Sequence, residues 1–264
     1  MALLRCGFFS DVLELNLTMT VILPQATSSQ IGVRSAAHPD GHPTLYLLHG
    51  LSDDDSVWLR LTSIERYVAP LGLAVVMPQV HRSFYADERH GHRYWTFLSE
   101  ELPEIVGSFF RVSGRREDMF VAGLSMGGYG AFKWALRQPH RFAAAASLSG
   151  ALDAVALRRT RERRAVDPDL FDRVFGDQLE GTDDDLLALL DRADPTALPR
   201  LYLCCGTEDQ LYEHNVTFRD ACAARDVPLT VDFGPGDHDW AYWDARIVDV
   251  LAWLPLDAPE ATAD

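Results

Sequence analysis

At residues 120–130 the chain reads Phe-Val-Ala-Gly-Leu-Ser-Met-Gly-Gly-Tyr-Gly, an apolar run leading into the pattern Gly-x-Ser-x-Gly and then into a helical pattern. A serine in so sharp a strand-to-helix turn adopts strained backbone angles, and Gly123 and Gly127 leave room where side chains would collide with it. The strain exposes the Ser125 hydroxyl for nucleophilic attack. A helix start also presents N–H groups that have no partner within the helix, so the Met126 N–H is placed to stabilise an oxyanion.

A serine hydroxyl is a weak nucleophile near neutral pH and needs a base. An imidazole base in turn needs a carboxylate to fix its tautomer and stabilise its charged form. Where a serine occupies such an elbow, acid and histidine follow it along the chain in that order. The apolar run 201–205 ends in Gly206-Thr207-Glu208-Asp209, and the run 229–233 ends in Gly234-Pro235-Gly236-Asp237-His238-Asp239-Trp240. His238 is therefore the expected base and Asp209 the expected acid. Glu208 is the alternative acid, since a shift of one residue in the turn would aim it instead. Asp237 and Asp239 stand too close to His238 to orient its ring and read as turn-formers. His49, in Leu47-Leu48-His49-Gly50-Leu51, follows another apolar run where a second oxyanion donor is expected. The Leu51 N–H is that donor, Gly50 permits the close approach, and His49 is not read as a base.

Other candidates carry less. Asp53, Asp54 and Asp55 read as a solvated loop. His90 and His92 with Asp87 and Glu88 could chelate a divalent metal, but no further ligand cluster is apparent and serine chemistry needs neither metal nor cofactor. Of the aromatic residues near these loops, Trp243 and Trp253 read as packing, whereas Tyr85 and Trp240 are expected to line an acyl or alcohol pocket.

The elements that must position these groups follow from hydrophobic periodicity. Residues 13–23 alternate, with Leu13, Leu15, Leu17, Met19 and Val21 on one face and Glu14, Asn16, Thr18 and Thr20 on the other, which predicts a half-buried antiparallel strand. Residues 25–42 read as a connection holding an edge strand around 31–33. Short continuous apolar runs at 44–48, 73–77, 119–124, 143–148, 201–205 and 229–233 predict strands buried on both faces. Helical patterns at 96–110, 127–137, 214–225 and 241–253 alternate with them, as in a parallel, helix-covered sheet of the α/β class. Right-handed crossovers then bring the strands' C-terminal ends to one rim, where all three catalytic candidates fall. Residues 151–199 interrupt the alternation with a charged stretch (158–164), an aromatic patch (Phe171, Val174, Phe175) and a helix pattern over 183–190, and read as a small cap inserted over that rim. A tail at 257–264 is expected to fray.

At 264 residues and 47% hydrophobic content the chain is expected to form a single domain. A formal charge of −15 disfavours nucleic acid and anionic membrane surfaces as partners. The four cysteines show neither a disulfide framework nor zinc-type spacing, residues 1–18 lack the features of a secretory leader, and no apolar stretch has transmembrane length. A cytoplasmic protein without a membrane partner is the expectation, and homo-oligomerisation stays open.

With these residues in place, the chain resembles the esterase D-like branch of the α/β-hydrolases, most closely the bacterial tributyrin esterases. The resemblance runs through LYLLHGLSDDDSVW (45–58), IERYVAPLGLAVVMP (64–78), SEELPEIVGSFF (99–110), VAGLSMGGYGAFKWAL (121–136), ASLSGAL (146–152), CGTEDQLYEHN (205–215) and HDWAYWDARIVDVLAWLPL (238–256), which is most of the chain. It implies an α/β-hydrolase fold and a carboxylesterase acting on short acyl esters. Ser125, Asp209 and His238 would form the triad, and the Leu51 and Met126 amides the oxyanion hole. The cap, from 153 to 199, shows no matching motif, and it shapes acyl-length preference. S-formylglutathione hydrolases are the nearest rival reading. They usually carry His where Gly128-Tyr129-Gly130 has tyrosine, and their anionic substrate would meet an acidic protein. Feruloyl or acetyl-sugar esterases, mycolyl-type acyltransferases and a catalytically silent scaffold are more distant alternatives.

Overall fold

In the computed structural model, which describes residues 1–27, 29–32, 35–161 and 169–256, alternating strands and helices build one eight-stranded sheet. The strands are β1 (Ala2–Ser10), β2 (Leu15–Leu23), β3 (Thr44–Leu48), β4 (Ala74–Pro78), β5 (Met119–Leu124), β6 (Ala144–Leu148), β7 (Arg200–Gly206) and β8 (Leu229–Gly234). Their order across the sheet is β1-β2-β4-β3-β5-β6-β7-β8, with β1 and β2 antiparallel to their neighbours and the rest parallel. The expectation of an α/β fold with a mostly parallel sheet is met.

The register explains where the chemistry collects. Leu48 lies opposite Gly123, Leu124 opposite Leu148, Leu148 opposite Cys204, and Gly206 opposite Gly234. Five parallel strand ends therefore reach one rim together. Alternate residues of the buried strands feed two separate cores: Tyr46, Leu48 and Val121 on one face of the sheet, Leu45, Leu47, Phe120 and Ala122 on the other. Helices cover both faces, which is why these strands read as continuous apolar runs.

Four sequence expectations are corrected. Residues 2–10, read only as lacking a secretory leader, form β1 and pair along their whole length with β2. β8 is not buried on both faces: it is an edge strand with one neighbour, and Thr230 and Val231 are exposed. Around residue 31 the described chain forms a turn, with an isolated bridge from Thr27 to Ser35, and Val33 lies outside the described residues. After α1 (Val57–Leu61) and α2 (Ile64–Val68), the helix expected at 96–110 runs from α3 (Tyr94–Thr96) through a π-helical turn at Phe97–Glu101 into α4 (Leu102–Phe109). Pro103, at the start of α4, has no N–H for the carbonyl one turn back and would crowd it, and the wider turn absorbs that misfit. It also delivers the Glu101 carboxylate to the β1–β2 connection, where it accepts from the Asp11 N–H (2.7 Å), the Val12 N–H (3.2 Å) and the Ser10 hydroxyl.

Between β6 and β7 the described residues form α6 (Ala154–Arg161), α7 (Leu170–Phe175) and α8 (Leu186–Arg192), named here after α5 (Met126–Arg137), the helix that follows β5. Asp185 caps α8 by accepting from the Leu187 and Ala188 N–H groups. Phe171 and Phe175 of α7 pack on Phe84 at ring separations of 5.2 and 5.6 Å, and α8 packs on α5. Part of the charged stretch at 158–164 and the tail at 257–264 lie outside the described residues. α9 (Tyr212–Ala223) and α10 (Trp240–Trp253) complete the layers.

Candidate active site

Ser125 ends β5 with φ 54° and ψ −116°, a left-handed conformation that a non-glycine residue adopts only when its surroundings hold it there. They do so closely. The Ser125 N–H donates to the Leu148 carbonyl (2.9 Å), and its own carbonyl accepts from Tyr129 (3.1 Å) and Ala151 (3.0 Å). A Cβ on Gly123 would stand 2.4 Å from the Gly127 backbone, and one on Gly127 would stand 2.4 Å from the Leu48 carbonyl oxygen. Only glycine fits at either position.

The structure brings together the three residues singled out from chain order. His238 Nε2 lies 3.1 Å from Ser125 Oγ, and His238 Nδ1 lies 2.8 and 3.0 Å from the two carboxylate oxygens of Asp209. The Asp209 side chain is fully shielded from solvent, while that of His238 is 19% exposed. An ionised carboxylate can only accept, so Nδ1 carries the ring proton and Nε2 faces the serine as an acceptor. Burial alone would push the Asp209 carboxyl up. Hydrogen bonding and charge from His238, with help from the Leu211 N–H (2.7 Å), outweigh it, and the carboxyl sits below the usual aspartate range.

Glu208 has another task. Exposed at the turn, it accepts from the Gly236 N–H (2.6 Å) and the Thr207 hydroxyl (2.9 Å), and these bonds lower its carboxyl. It ties the loop after β7 to the loop after β8, which fixes the spacing between Asp209 and His238. Asp237 accepts from the His238 N–H (2.7 Å), and Asp239 caps α10 by accepting from the Tyr242 N–H (2.9 Å), so both are turn-formers.

Met126 heads α5, where the first N–H groups have no intrahelical acceptor, and Leu51 lies in the loop after β3. His49 is buried beneath that loop. Its Nδ1 meets the Gly50 carbonyl (2.7 Å) and its Nε2 accepts from the Val80 N–H (3.2 Å), an arrangement that fits only the neutral ring. Burial, the dominant influence, lowers its pKa accordingly. The solvated reading of the acidic loop fails for Asp55, which is buried and accepts from Thr18 (3.0 Å) and Thr20 (2.8 Å) on β2. Asp54 accepts from the Ser56 N–H (2.9 Å) and hydroxyl (2.6 Å) ahead of α1 (Val57–Leu61).

A cleft of about 400 Å³ opens beside Leu51, walled by Asp53, His81, Arg82, Glu88, Tyr94 and Arg173. Neither expected pocket residue lines it. Tyr85 is fully buried, with its hydroxyl donating to the His49 carbonyl (2.8 Å) and its ring against Gly130. Trp240 is half-buried and joins His238 to Trp58 through rings: His238 meets Trp243 edge to face at 4.8 Å, Trp243 meets Trp240 at 5.2 Å, and Trp240 meets Trp58 at 5.3 Å. The Trp58 indole N–H donates to the Leu48 carbonyl at the end of β3 (3.0 Å). Trp243, read as packing alone, thus also supports the imidazole; its place four residues after the Asp239 cap, one helical turn into α10, was the available signal. Asp87 accepts from the Thr96 N–H and hydroxyl (2.9 and 2.8 Å) and Glu88 from the His92 N–H (3.0 Å); among the described residues no group of three or more His, Cys, Asp or Glu could hold a metal ion.

Residues 10–254 match the family described as "Putative esterase". The chain belongs to that family. It is a serine carboxylesterase with an α/β-hydrolase fold. An acetyl esterase of Caldicellulosiruptor saccharolyticus is 29% identical to it, over 96% of this chain and 98% of that one. Two solved structures from Staphylococcus aureus are similar throughout. FphF, a fluorophosphonate-binding serine hydrolase, is 37% identical with a TM-score of 0.86, covering 97% of this chain and 99% of that one. The S-formylglutathione hydrolase FrmB is 36% identical with a TM-score of 0.82, covering 96% and 98%.

Proposed function

We propose that this esterase hydrolyses short-chain carboxylic esters with Ser125 as nucleophile, His238 as general base and Asp209 as the carboxylate that orients it. The observation that carries the assignment is the unbroken line from Asp209 through His238 to Ser125 Oγ, at 2.8 and 3.1 Å. His238 Nε2 takes the hydroxyl proton as Oγ attacks the ester carbonyl, while the Leu51 and Met126 amides hold the developing oxyanion. The protonated imidazole then passes its proton to the leaving alcohol. Water, deprotonated by the same ring, cleaves the acyl-enzyme and restores Ser125.

A preference for acetyl to butyryl groups is supported by the name of the acetyl esterase relative. The cleft beside Leu51 takes Arg173 from α7, so we assign acyl selection to the segment 151–199 and treat it as a cap on a single domain, with Phe171 and Phe175 packed on Phe84. A cytoplasmic setting is supported by Cys6, Cys204, Cys205 and Cys222 all being free thiols. Among the described residues no helix is long and apolar enough to cross a membrane. The decisive experiment is fluorophosphonate labelling with turnover of a p-nitrophenyl ester series, run beside S-formylglutathione. The parent is expected to label at Ser125 and to prefer acetyl to butyryl esters. Ser125→Ala should neither label nor turn over, and undiminished turnover by that variant would refute the nucleophile.

A further inference from the structure

Lys133 is a fully buried cation two turns into α5, away from the reacting atoms, and its surroundings form a connected polar chain. Its ammonium pairs with the Asp184 carboxylate, in the segment between α7 and α8, and donates to the Tyr85 carbonyl (2.8 Å). The Tyr85 hydroxyl donates to the His49 carbonyl (2.8 Å), and His49 Nδ1 bonds the carbonyl of Gly50, the residue before Leu51. Tyr129, one helical turn before Lys133, donates its hydroxyl to the Asp184 carbonyl (2.6 Å), so the two ends of Asp184 grip the same face of α5.

Two features mark the chain as more than packing. Phe84 and Tyr85 both sit at φ 50°, a strained backbone for aromatic residues, and the Lys133 ammonium bonds the carbonyl of that strained pair. A buried charge is costly even when paired, and an apolar pair at 133 and 184 would serve packing at no greater cost, so the pair calls for a role that packing does not supply. The link from Asp55 to β2 fixes the far side of residues 49–55, and the Val80 N–H holds the His49 ring, while the Tyr85 hydroxyl holds the backbone carbonyl at the Leu51 end.

We propose that Asp184, Lys133 and Tyr85 are positioning residues for the oxyanion loop: the segment over α5 holds Lys133, Lys133 holds Tyr85, and the Tyr85 hydroxyl sets the His49–Leu51 backbone against Ser125. The inference rests on the reading of Leu51 as an oxyanion donor. It couples the seating of the segment between α7 and α8 to transition-state stabilisation, and makes Tyr85 a residue of the loop's foundation and not of the pocket wall.

The test uses Tyr85→Phe, which removes one hydroxyl and keeps the ring against Gly130, and Asp184→Asn, whose side chain is 27% exposed and whose backbone bond to Tyr129 is retained. Lys133→Met is avoided because it would leave the Asp184 carboxylate and the Tyr85 carbonyl without their donor, whereas Asp184→Asn keeps an amide oxygen for the ammonium. Active-site-titrated kcat and KM for p-nitrophenyl acetate are measured with the Leu51 backbone amide resonance in isotope-labelled protein. Each variant is expected to lower kcat about tenfold with KM held within about twofold, because a sub-ångström displacement of an oxyanion donor acts on the transition state alone. The Leu51 resonance moves in both, and the double variant loses less than the product of the two. A kcat unchanged in either variant, a loss confined to KM, multiplicative losses, or a stationary Leu51 resonance overturns the proposal. Turnover by Ser125→Ala would instead overturn the catalytic reading, while the Leu51 resonance would still report on the chain of contacts.

Discussion

Replacing Asp209 by Asn tests the acid assignment most sharply, and the magnitude follows from which oxygen does what. Asp209 Oδ1 accepts the Leu211 N–H at 2.7 Å, and Oδ2 is the atom nearer His238 Nδ1, at 2.8 Å. An asparagine that keeps the Leu211 bond points its NH2 group at Nδ1, moves the ring proton to Nε2 and leaves Ser125 without a base; a carboxylate-to-amide change of this kind costs about 10,000-fold in kcat. Turning the amide over restores the tautomer but sets the buried Leu211 N–H against a second donor, at about 1–3 kcal/mol, so the productive form is roughly one to two decades down in population. The imidazolium has also lost its anion. Asp209→Asn is therefore expected to lower kcat for p-nitrophenyl acetate about 100- to 10,000-fold with little change in KM. Glu208→Gln retains an acceptor for the Gly236 N–H and stays near parental. Turnover per milligram of folded protein, with Tm as the folding check, reads both variants. An Asp209→Asn enzyme keeping more than about a tenth of parental kcat, or a collapse on Glu208→Gln, would move the acid role to Glu208.

Further outcomes follow. Gly123→Ala drives a methyl group into the Gly127 backbone at 2.4 Å; calorimetry should show a loss of about 3 kcal/mol, the upper end for overpacking, since backbone cannot step aside as a side chain can. Asp55→Ala orphans the buried Thr20 hydroxyl and frees the loop from β2, so a loss of about 1–3 kcal/mol is expected, visible as several degrees in Tm. The pH dependence of stability has a definite sign at Asp209. Its carboxyl is depressed in the folded protein, so its contribution is complete above the unfolded value of about 4 and drains away as pH falls through the lower folded value. Urea titrations from pH 6 downward should show a shallower acid-side loss in Asp209→Asn than in the parent, and parallel curves would contradict the assignment.

Much of the site was legible because the chemistry sits at strand ends, and strand ends are where hydrophobic runs stop and glycines begin. Gly206-Thr207-Glu208-Asp209 and Gly236-Asp237-His238 could be read in that way, but the choice between Glu208 and Asp209 depends on which way a turn points, and the cross-loop bond from Glu208 to Gly236 decides it. β1 was missed although its alternation is present, with Phe8 and Ser10 buried and Leu3, Arg5 and Phe9 outward. Its large apolar residues fall in two adjacent pairs, Leu3-Leu4 and Phe8-Phe9, which blur the alternation until the hairpin with β2 fixes which of each pair turns inward. Asp55 and Tyr85 were misplaced for a common reason. Each belongs to a loop in sequence and to the core in space, buried by contacts with residues 35 and 36 positions away. The turn at Phe97–Glu101 left only Pro103 as a trace.

The half-exposed strand β8 has a bearing on how this enzyme dies. Ser125 and Asp209 hang from interior strands flanked on both sides, whereas His238 hangs from the outermost one, stitched to the sheet along a single border. Opening of that border costs less than melting the rest. Heating should therefore extinguish turnover while the circular dichroism of the bulk fold still looks native.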